Sequence, residues 1–491
     1  MTKNQKIYER KFYLDQHGCA KNQVDGELII SHLEDEGWLL CDDPSSADLI
    51  VINSCGFIES AKKESLESLL SARESYPDAK IILAGCLAER YAEDFALDLK
   101  EADGIFGNGD LVQIKNIVER LFPRETQNEA ESGAVVIRPS QEGVCTGSRT
   151  RFLNFPGSAY VKITEGCNNC CTFCAIPLIR GQLRSRPIED IYNEISDLLN
   201  NGVFEINLIG QDLASYGRGV PDELLFSNSE NEGSTNSALF HLLSKLSGLK
   251  GNFWIRLLYI HPDNFPLDIL SIIKKDSRIL PYFDIPFQSG DEKIIEAMNR
   301  HNSPSFYKSL VQTIRDESRK TSYADCAIRT TFLCGFPGET DEAAGNTEEF
   351  LSSIRPDWSG CFVYSKEEDT KAYLLKNQVP KKTASKRMES LVKLQQGITK
   401  NALIRHVGKV FQVLVEEVIE DSAGAEGLAI GRAWFQAPEV DGACVIRYEL
   451  DDDNAVSAVQ SGKVINVKVI GSSDVDIDSV FISAAAGTYT T

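Results

Sequence analysis

Three apolar runs in the first part of the chain each end on a cysteine: Phe12-Tyr13-Leu14-Asp15-Gln16-His17-Gly18-Cys19, Leu49-Ile50-Val51-Ile52-Asn53-Ser54-Cys55 and Ile81-Ile82-Leu83-Ala84-Gly85-Cys86. Each is short and continuous, and each is followed by a helical pattern, which predicts buried strands alternating with helices. Gly37 predicts the stop of the first helix, and Pro77 lies beyond the second. Such alternation implies a parallel sheet covered by helices, with ligands beyond the carboxyl ends of its strands. All three cysteines fall at that edge, so the pattern gathers thiols that are remote in sequence. Gly18 and Gly85 precede two of them, where a tight turn needs a residue without a side chain. Three unrelated buried thiols are the competing explanation. Residues 124–149 are polar and without period, and read as a linker.

Residues 151–396 repeat the strand-then-helix pattern over a longer distance. Strand-like runs cover 159–163, 205–209, 253–258, 282–285, 327–333 and 360–364, with helical patterns between them, for instance 188–200 and 341–354. Repeated β/α units predict a barrel or part of one, with chemistry at the carboxyl ends of its strands. Gly210-Gln211-Asp212 follows the second run, and Gly335-Phe336-Pro337-Gly338-Glu339 follows the fifth. Either loop can pass close to a ligand, although a plain turn accounts for each as well. Residues 221–237 read as a polar surface insertion. Met388, Leu391, Leu394 and Ile398 mark one face of a connecting helix over 385–400. Short alternating runs at 410–416, 428–435, 444–450 and 464–470 then predict a small β-barrel. Its charges lean acidic through Glu416, Glu417, Glu420, Asp421, Glu426, Glu439, Asp441 and residues 451–453. From Asp474 the chain has low complexity and is expected to fray. The fold class is therefore α/β, in three domains: 10–123 with a parallel sheet, 151–396 with a partial (β/α) barrel, and 397–472 with a small β-barrel.

Chemistry enters most densely at Ile163-Thr164-Glu165-Gly166-Cys167-Asn168-Asn169-Cys170-Cys171-Thr172-Phe173-Cys174. Cys167, Cys171 and Cys174 fall on a C-x-x-x-C-x-x-C spacing in one loop. A zinc site usually joins ligand pairs from two places and closes with a fourth donor. Three thiolates in one loop instead suit a four-iron cluster with one iron left open, where a small chelating molecule can bind. A structural zinc or a chance group of thiols is the competing reading. The chain has 13 cysteines, a polar start without the apolar segment of an export signal, and no apolar run long enough to span a membrane. A cytoplasmic enzyme with metal rather than disulfide chemistry is the expectation. Cys41, Cys145, Cys326, Cys334, Cys361 and Cys444 show no pattern and read as small apolar residues. The net charge of −21 argues against a partner recognised chiefly through phosphates and favours a basic protein.

Taken together, these motifs resemble the methylthiotransferase family of the radical S-adenosylmethionine superfamily, over nearly the whole chain. Its parts there are an N-terminal three-cysteine domain, a radical domain and a TRAM barrel. Within it the chain is most similar to the RimO-type branch, which modifies a ribosomal protein. Gly18-Cys19-Ala20-Lys21-Asn22-Gln23-Val24-Asp25, Tyr364-Ser365-Lys366-Glu367-Glu368 and Ala437-Pro438-Glu439-Val440-Asp441-Gly442 carry that likeness. The sister MiaB-type branch, which modifies a tRNA adenosine, typically has Gln-Met-Asn after its first cysteine. The resemblance implies two [4Fe–4S] clusters, one on Cys167, Cys171 and Cys174 and one on Cys19, Cys55 and Cys86. It implies that the first binds and cleaves S-adenosylmethionine while the second handles sulfur. Phe173, Gly210, Gln211 and Gly335 are the implied contacts to S-adenosylmethionine. The implied substrate is the β-carbon of an aspartate in the small-subunit ribosomal protein of the decoding centre (protein twelve of that subunit), free or in the assembled subunit. An electron donor is the other implied partner; no membrane is, and tRNA is less favoured. A tRNA-modifying enzyme of the sister type and a non-catalytic metal-binding protein are the alternatives.

Overall fold

The computed structural model describes residues 9–123, 133–218, 220, 225, 235–419 and 426–485. The chain forms two compact units. One comprises Met1–Leu153, Glu165–Asn169 and Cys174–Arg184; the other comprises Asn154–Thr164, Cys170–Phe173 and Ser185–Thr491.

In the first unit six parallel strands line up in the order β2-β1-β3-β4-β5-β6. In chain order these are β1 (Lys11–Gln16), α1 (Ala20–Asp35), β2 (Leu39–Leu40), β3 (Leu49–Ser54), α2 (Glu59–Ser75), β4 (Lys80–Gly85), α3 (Cys86–Asp98), β5 (Gly104–Phe106), α4 (Ile114–Leu121) and β6 (Val135–Ile137). Every residue of β3 is buried. A strand covered on both faces reads as an unbroken apolar run, which is why its sequence does not alternate. Ile50, Ile52, Ile81, Leu83 and Ile105 from three strands meet Leu69 of α2 and Ala88 of α3 in one core. Gly37 follows α1 at φ +84°, as its position predicts. The linker expectation for 124–149 needs correcting: Val135–Ile137 extends the sheet in parallel with β5, Gly104 opposite Val135. Three residues are too few for a period to register. Residues 124–132 lie outside the described residues.

The second unit is built on another six-stranded parallel sheet. Its strands are β7 (Ser158–Lys162), β10 (Glu205–Ile209), β11 (Trp254–Leu257), β12 (Ile279–Asp284), β13 (Ala327–Cys334) and β14 (Trp358–Val363), in the spatial order β14-β13-β12-β11-β10-β7. The short strands β8 (Thr164–Glu165) and β9 (Arg184–Ser185) bracket the cysteine loop in sequence. The helices between the main strands bury regular apolar faces, such as Ile188, Ile191, Ile195 and Leu198 on Ile188–Asn200. This is the predicted partial barrel. Most of the predicted insertion at 221–237 lies outside the described residues.

After the helix Lys381–Ile404 comes a closed barrel, β15-β16-β17-β19-β18. Its strands are β15 (Val410–Ile419), β16 (Glu426–Ala433), β17 (Cys444–Glu449), β18 (Val464–Ser472) and β19 (Ile477–Ala484). The expected fraying from Asp474 is contradicted by β19, which pairs with β17 and β18 and closes the barrel. Asp478, Ser479 and Ser483 break its apolar pattern and hide it in the sequence, while Ile477 and Ser479 are fully buried. Two of the barrel's carboxylates are not surface charge at all. Glu416 is paired with Arg432 at 2.5 Å. Asp441, whose side chain is 0% exposed, accepts from Arg329 Nε at 3.3 Å and Tyr282 Oη at 2.6 Å. Glu205 of β10 binds Arg256 of β11 at 2.9 Å and Arg432 of β16 at 2.6 Å. Burial alone would raise the pKa of Glu205, but the two guanidiniums hold it well below the usual range. Losing one member of so buried a set costs about 3–5 kcal/mol. The barrel is thus keyed to the sheet by charge as well as by packing.

Candidate functional site

Cys19 is the N-cap of α1, Cys55 directly follows β3, and Cys86 opens α3 at the end of β4. Because β1, β3 and β4 are neighbours, their carboxyl ends bring the three loops into contact. Gly18 sits at φ +91°, and a Cβ there would stand 3.2 Å from Cβ and 3.5 Å from Sγ of Cys55. A Cβ at Gly56 would stand 2.6 Å from the Cys86 carbonyl oxygen. These approaches require glycine. Asn22 ties the loops together, donating to the carbonyls of His17 at 2.8 Å, Asn53 at 3.1 Å and Ser54 at 3.2 Å.

The thiols grade from exposed Cys19 through half-buried Cys55 to buried Cys86. Burial, with Cys86 beside it, pushes the Cys55 thiol up to about 12. Burial raises Cys86 too, against the pull of Arg180. Arg180 Nη2 donates to Cys86 Sγ at 3.0 Å, and Asn108 Nδ2 does so at 3.7 Å. Buried thiols give up their protons when a metal replaces them. Three thiols on neighbouring loops, one of them served by two N–H donors, therefore fit an anionic iron–sulfur cluster. Two residues before Cys19, His17 Nε2 lies 3.2 Å from Asp15, which raises the imidazole's pKa.

The second set follows β7. Cys167 N donates to the Gly181 carbonyl at 3.3 Å, and Asn169 Nδ2 to Cys167 Sγ at 3.4 Å. Ile176 N donates to Cys174 Sγ at 3.5 Å. Cys171 Sγ lies 3.9 Å from His261 Nε2. His261 Nδ1 accepts the Asp263 N–H at 3.3 Å, which leaves the proton on Nε2, facing the sulfur. Burial, reinforced by Arg300, lowers the His261 pKa to about 4, so the ring is neutral near pH 7. Asp212 Oδ1 accepts the backbone N–H of His261 at 3.0 Å and so anchors the segment that carries the ring. Burial raises the Cys171 thiol while Arg300 opposes the rise. Cys170 differs: it is exposed at φ +52°, with its carbonyl held by Asn299 Nδ2 at 3.2 Å. Among the described residues no three of His, Cys, Asp and Glu close on one point as a single ion needs. A four-iron cluster spaces its thiolates more widely, one to each iron.

The residues singled out for S-adenosylmethionine divide. Phe173 packs on a cluster of Ile294, Met298, Phe336, Ala343 and Ala372. Thr172, beside it, bonds the backbones of Met298 at 3.1 Å and Ala372 at 2.8 Å. Gly210 and Gln211 stand at the carboxyl end of β10. A Cβ at Gly210 would collide with Thr164 Oγ1, a buried atom without a hydrogen-bond partner among the described residues. Gly335 stands at φ +81° against Ala384 of the helix Lys381–Ile404, and its N–H meets Glu339 at 2.8 Å. Close packing accounts for both glycines. Sequence reading missed Arg180, Asn22, His261 and Asp212. The one available signal was the cation of Arg180 directly after the apolar Ile176-Pro177-Leu178-Ile179.

Residues 11–107 match the model of the uncharacterized protein family UPF0004, residues 161–351 that of the Radical SAM superfamily, and residues 407–482 that of the TRAM domain. A Treponema denticola protein described as ribosomal protein uS12 methylthiotransferase RimO is 51% identical over 472 residues, 96% of this chain and 100% of that protein. A Thermotoga maritima protein of the same description is 37% identical over 434 residues, 88% of this chain and 92% of its own. Among solved structures, the radical S-adenosylmethionine methyltransferase TsrM from Kitasatospora setae has a TM-score of 0.50 at 14% identity, covering 72% of this chain and 73% of that one. That last likeness is one of fold.

Proposed function

The chain belongs to the RimO family of ribosomal protein uS12 methylthiotransferases, and on that premise we propose that it adds a methylthio group to the β-carbon of an aspartate in uS12. The near-full-length identity to the Treponema denticola protein carries this reading. When bound, two [4Fe–4S] clusters and S-adenosylmethionine supply radical cleavage of an unactivated C–H bond together with the sulfur and methyl groups.

This chain's residues position that chemistry. Cys167, Cys171 and Cys174 are the thiolates for the radical cluster, and Cys19, Cys55 and Cys86 those for the second. The spacing of the first set and the convergence of the second support the assignment. The neutral His261 directs an N–H at Cys171 without adding charge. Phe173, Gly210, Gln211 and Gly335 are the candidate contacts to S-adenosylmethionine, although close packing also accounts for the two glycines. The β-carbon offers no acidic proton, so acid–base residues alone have no route to it. A separate electron donor is required. No helix among the described residues is long and apolar enough to cross a membrane.

The reading is tested by incubating reconstituted enzyme with isolated small subunits and, separately, with bulk tRNA. Mass analysis is expected to find the methylthio group on uS12. A methylthio group on tRNA adenosine alone would replace this reading with that of the sister branch. Exposed Glu417, Glu439, Asp451, Asp452 and Asp453 on the barrel favour the basic protein over RNA.

A further inference from the structure

Arg180 is among the most deeply placed cations of the first unit. Its side chain is 3% exposed. One arm of the guanidinium, Nη1, meets Asp25 at 2.5 Å and Glu165 at 3.3 Å. The other arm, Nη2, meets Asn22 Oδ1 at 3.3 Å and Cys86 Sγ at 3.0 Å. The two carboxylates fix the plane of the group, and the fork then has one direction left, toward the sulfur. The segment carrying Arg180 is also packed there, for Cys86 lies in one apolar cluster with Ala175 and Ile179. Ala175 is the residue after Cys174. The stretch leaving the second cysteine loop is thus seated on a thiol of the first set.

We propose that Arg180 is a positioning residue for the cluster on Cys19, Cys55 and Cys86, setting its reduction potential through the N–H···S bond to Cys86. The inference rests on the reading that these three cysteines hold a cluster. A hydrogen bond to a ligating sulfur withdraws electron density and stabilises the reduced state, because that state carries one more negative charge. Asp25 and Glu165 more than offset the single charge of the guanidinium, so the directed bond, rather than net positive charge, is what Arg180 brings to the sulfur.

The test uses full-length protein carrying Cys167→Ala, Cys171→Ala and Cys174→Ala, so that only the first cluster is assembled. Iron and sulfide content of this parent is measured first, then its reduction potential by titration followed with electron paramagnetic resonance. Into it are placed Arg180→Met with Asp25→Asn, which removes one positive and one negative charge, and separately Arg180→Lys. The double change is expected to lower the reduction equilibrium constant tenfold or more, a shift of about 59 mV for one electron. Arg180→Lys, keeping the charge and a single donor, should fall between. If the double variant does not fold, a potential lowered in Arg180→Lys still supports the proposal. If it folds without retaining iron, Arg180→Lys decides: a lowered potential supports the proposal, and the parent's potential overturns it. Iron-loaded variants with the parent's potential overturn the proposal. A parent that takes up no iron overturns the cluster reading instead, so the two failures are distinguishable.

Discussion

Cys167, Cys171 and Cys174 sit in a single loop, whereas Cys19, Cys55 and Cys86 are delivered by the ends of three strands. The first arrangement needs little of the fold: a loop of the right spacing can wrap a cluster by local geometry. The second exists only when β1, β3 and β4 lie side by side. Their surroundings differ in the same sense. Cys171 faces a neutral imidazole, with Cys170 exposed beside it in the chain. Cys86 faces a guanidinium clamped by two buried carboxylates. The pair teaches that equal donor sets can be specified by sequence in one case and by topology in the other.

The sharpest way to break this comparison is at the loop. Cys171→Ala is expected to reduce deoxyadenosine release under reducing conditions to background, while Cys170→Ala keeps most of it. The opposite result would move the middle ligand to Cys170. Next comes the strand-end set. Replacing Cys19, Cys55 and Cys86 together with Ala should remove about half the iron, since two clusters of equal size are expected. That variant should still cleave S-adenosylmethionine and make no methylthio product; product at the normal level would mean that sulfur is handled elsewhere.

A smaller effect is expected from the imidazole. His261→Phe removes the N–H that faces Cys171 and should lower cluster affinity or cleavage rate about 10–100-fold, the usual range for a supporting group. Iron retention under a chelator separates the two effects. An unchanged retention and rate would make His261 packing only. The smallest effect lies far from either set. Asp451, Asp452 and Asp453 are exposed, and their replacement with Lys should slow association with uS12 by less than about tenfold. Added salt should narrow the difference, since screening acts over about 10 Å at 0.1 M. Stopped-flow rates that do not respond to the replacement would remove the barrel's charge from the argument.

Reading charges from sequence alone overcounts them. Glu416 and Asp441 belong to the acidic tally of the barrel, yet both are spent on buried arginines. Nothing local distinguishes them from Glu417 or Asp452, because burial is decided by partners far along the chain. The strand β19 was hidden for a related reason: its polar positions have meaning only once β17 and β18 stand on either side. The same holds for Val135–Ile137, whose three residues become a strand by pairing with β5.

What the sequence determined by itself is whatever depends on period and spacing. The alternation of apolar runs with helical stretches predicts two parallel sheets, whose central strands, such as β3 and β12, are buried on both faces. The spacing of Cys167, Cys171 and Cys174 specifies a loop of three thiols, since neighbours in sequence must be neighbours in space. Tertiary structure alone decided which polar groups attend those thiols. Arg180 reaches Cys86 across a long sequence separation, and His261 reaches Cys171 from the end of another strand. A hydrogen bond is directional and short, so its partners are chosen by the final packing of the chain, and no local pattern carries that information.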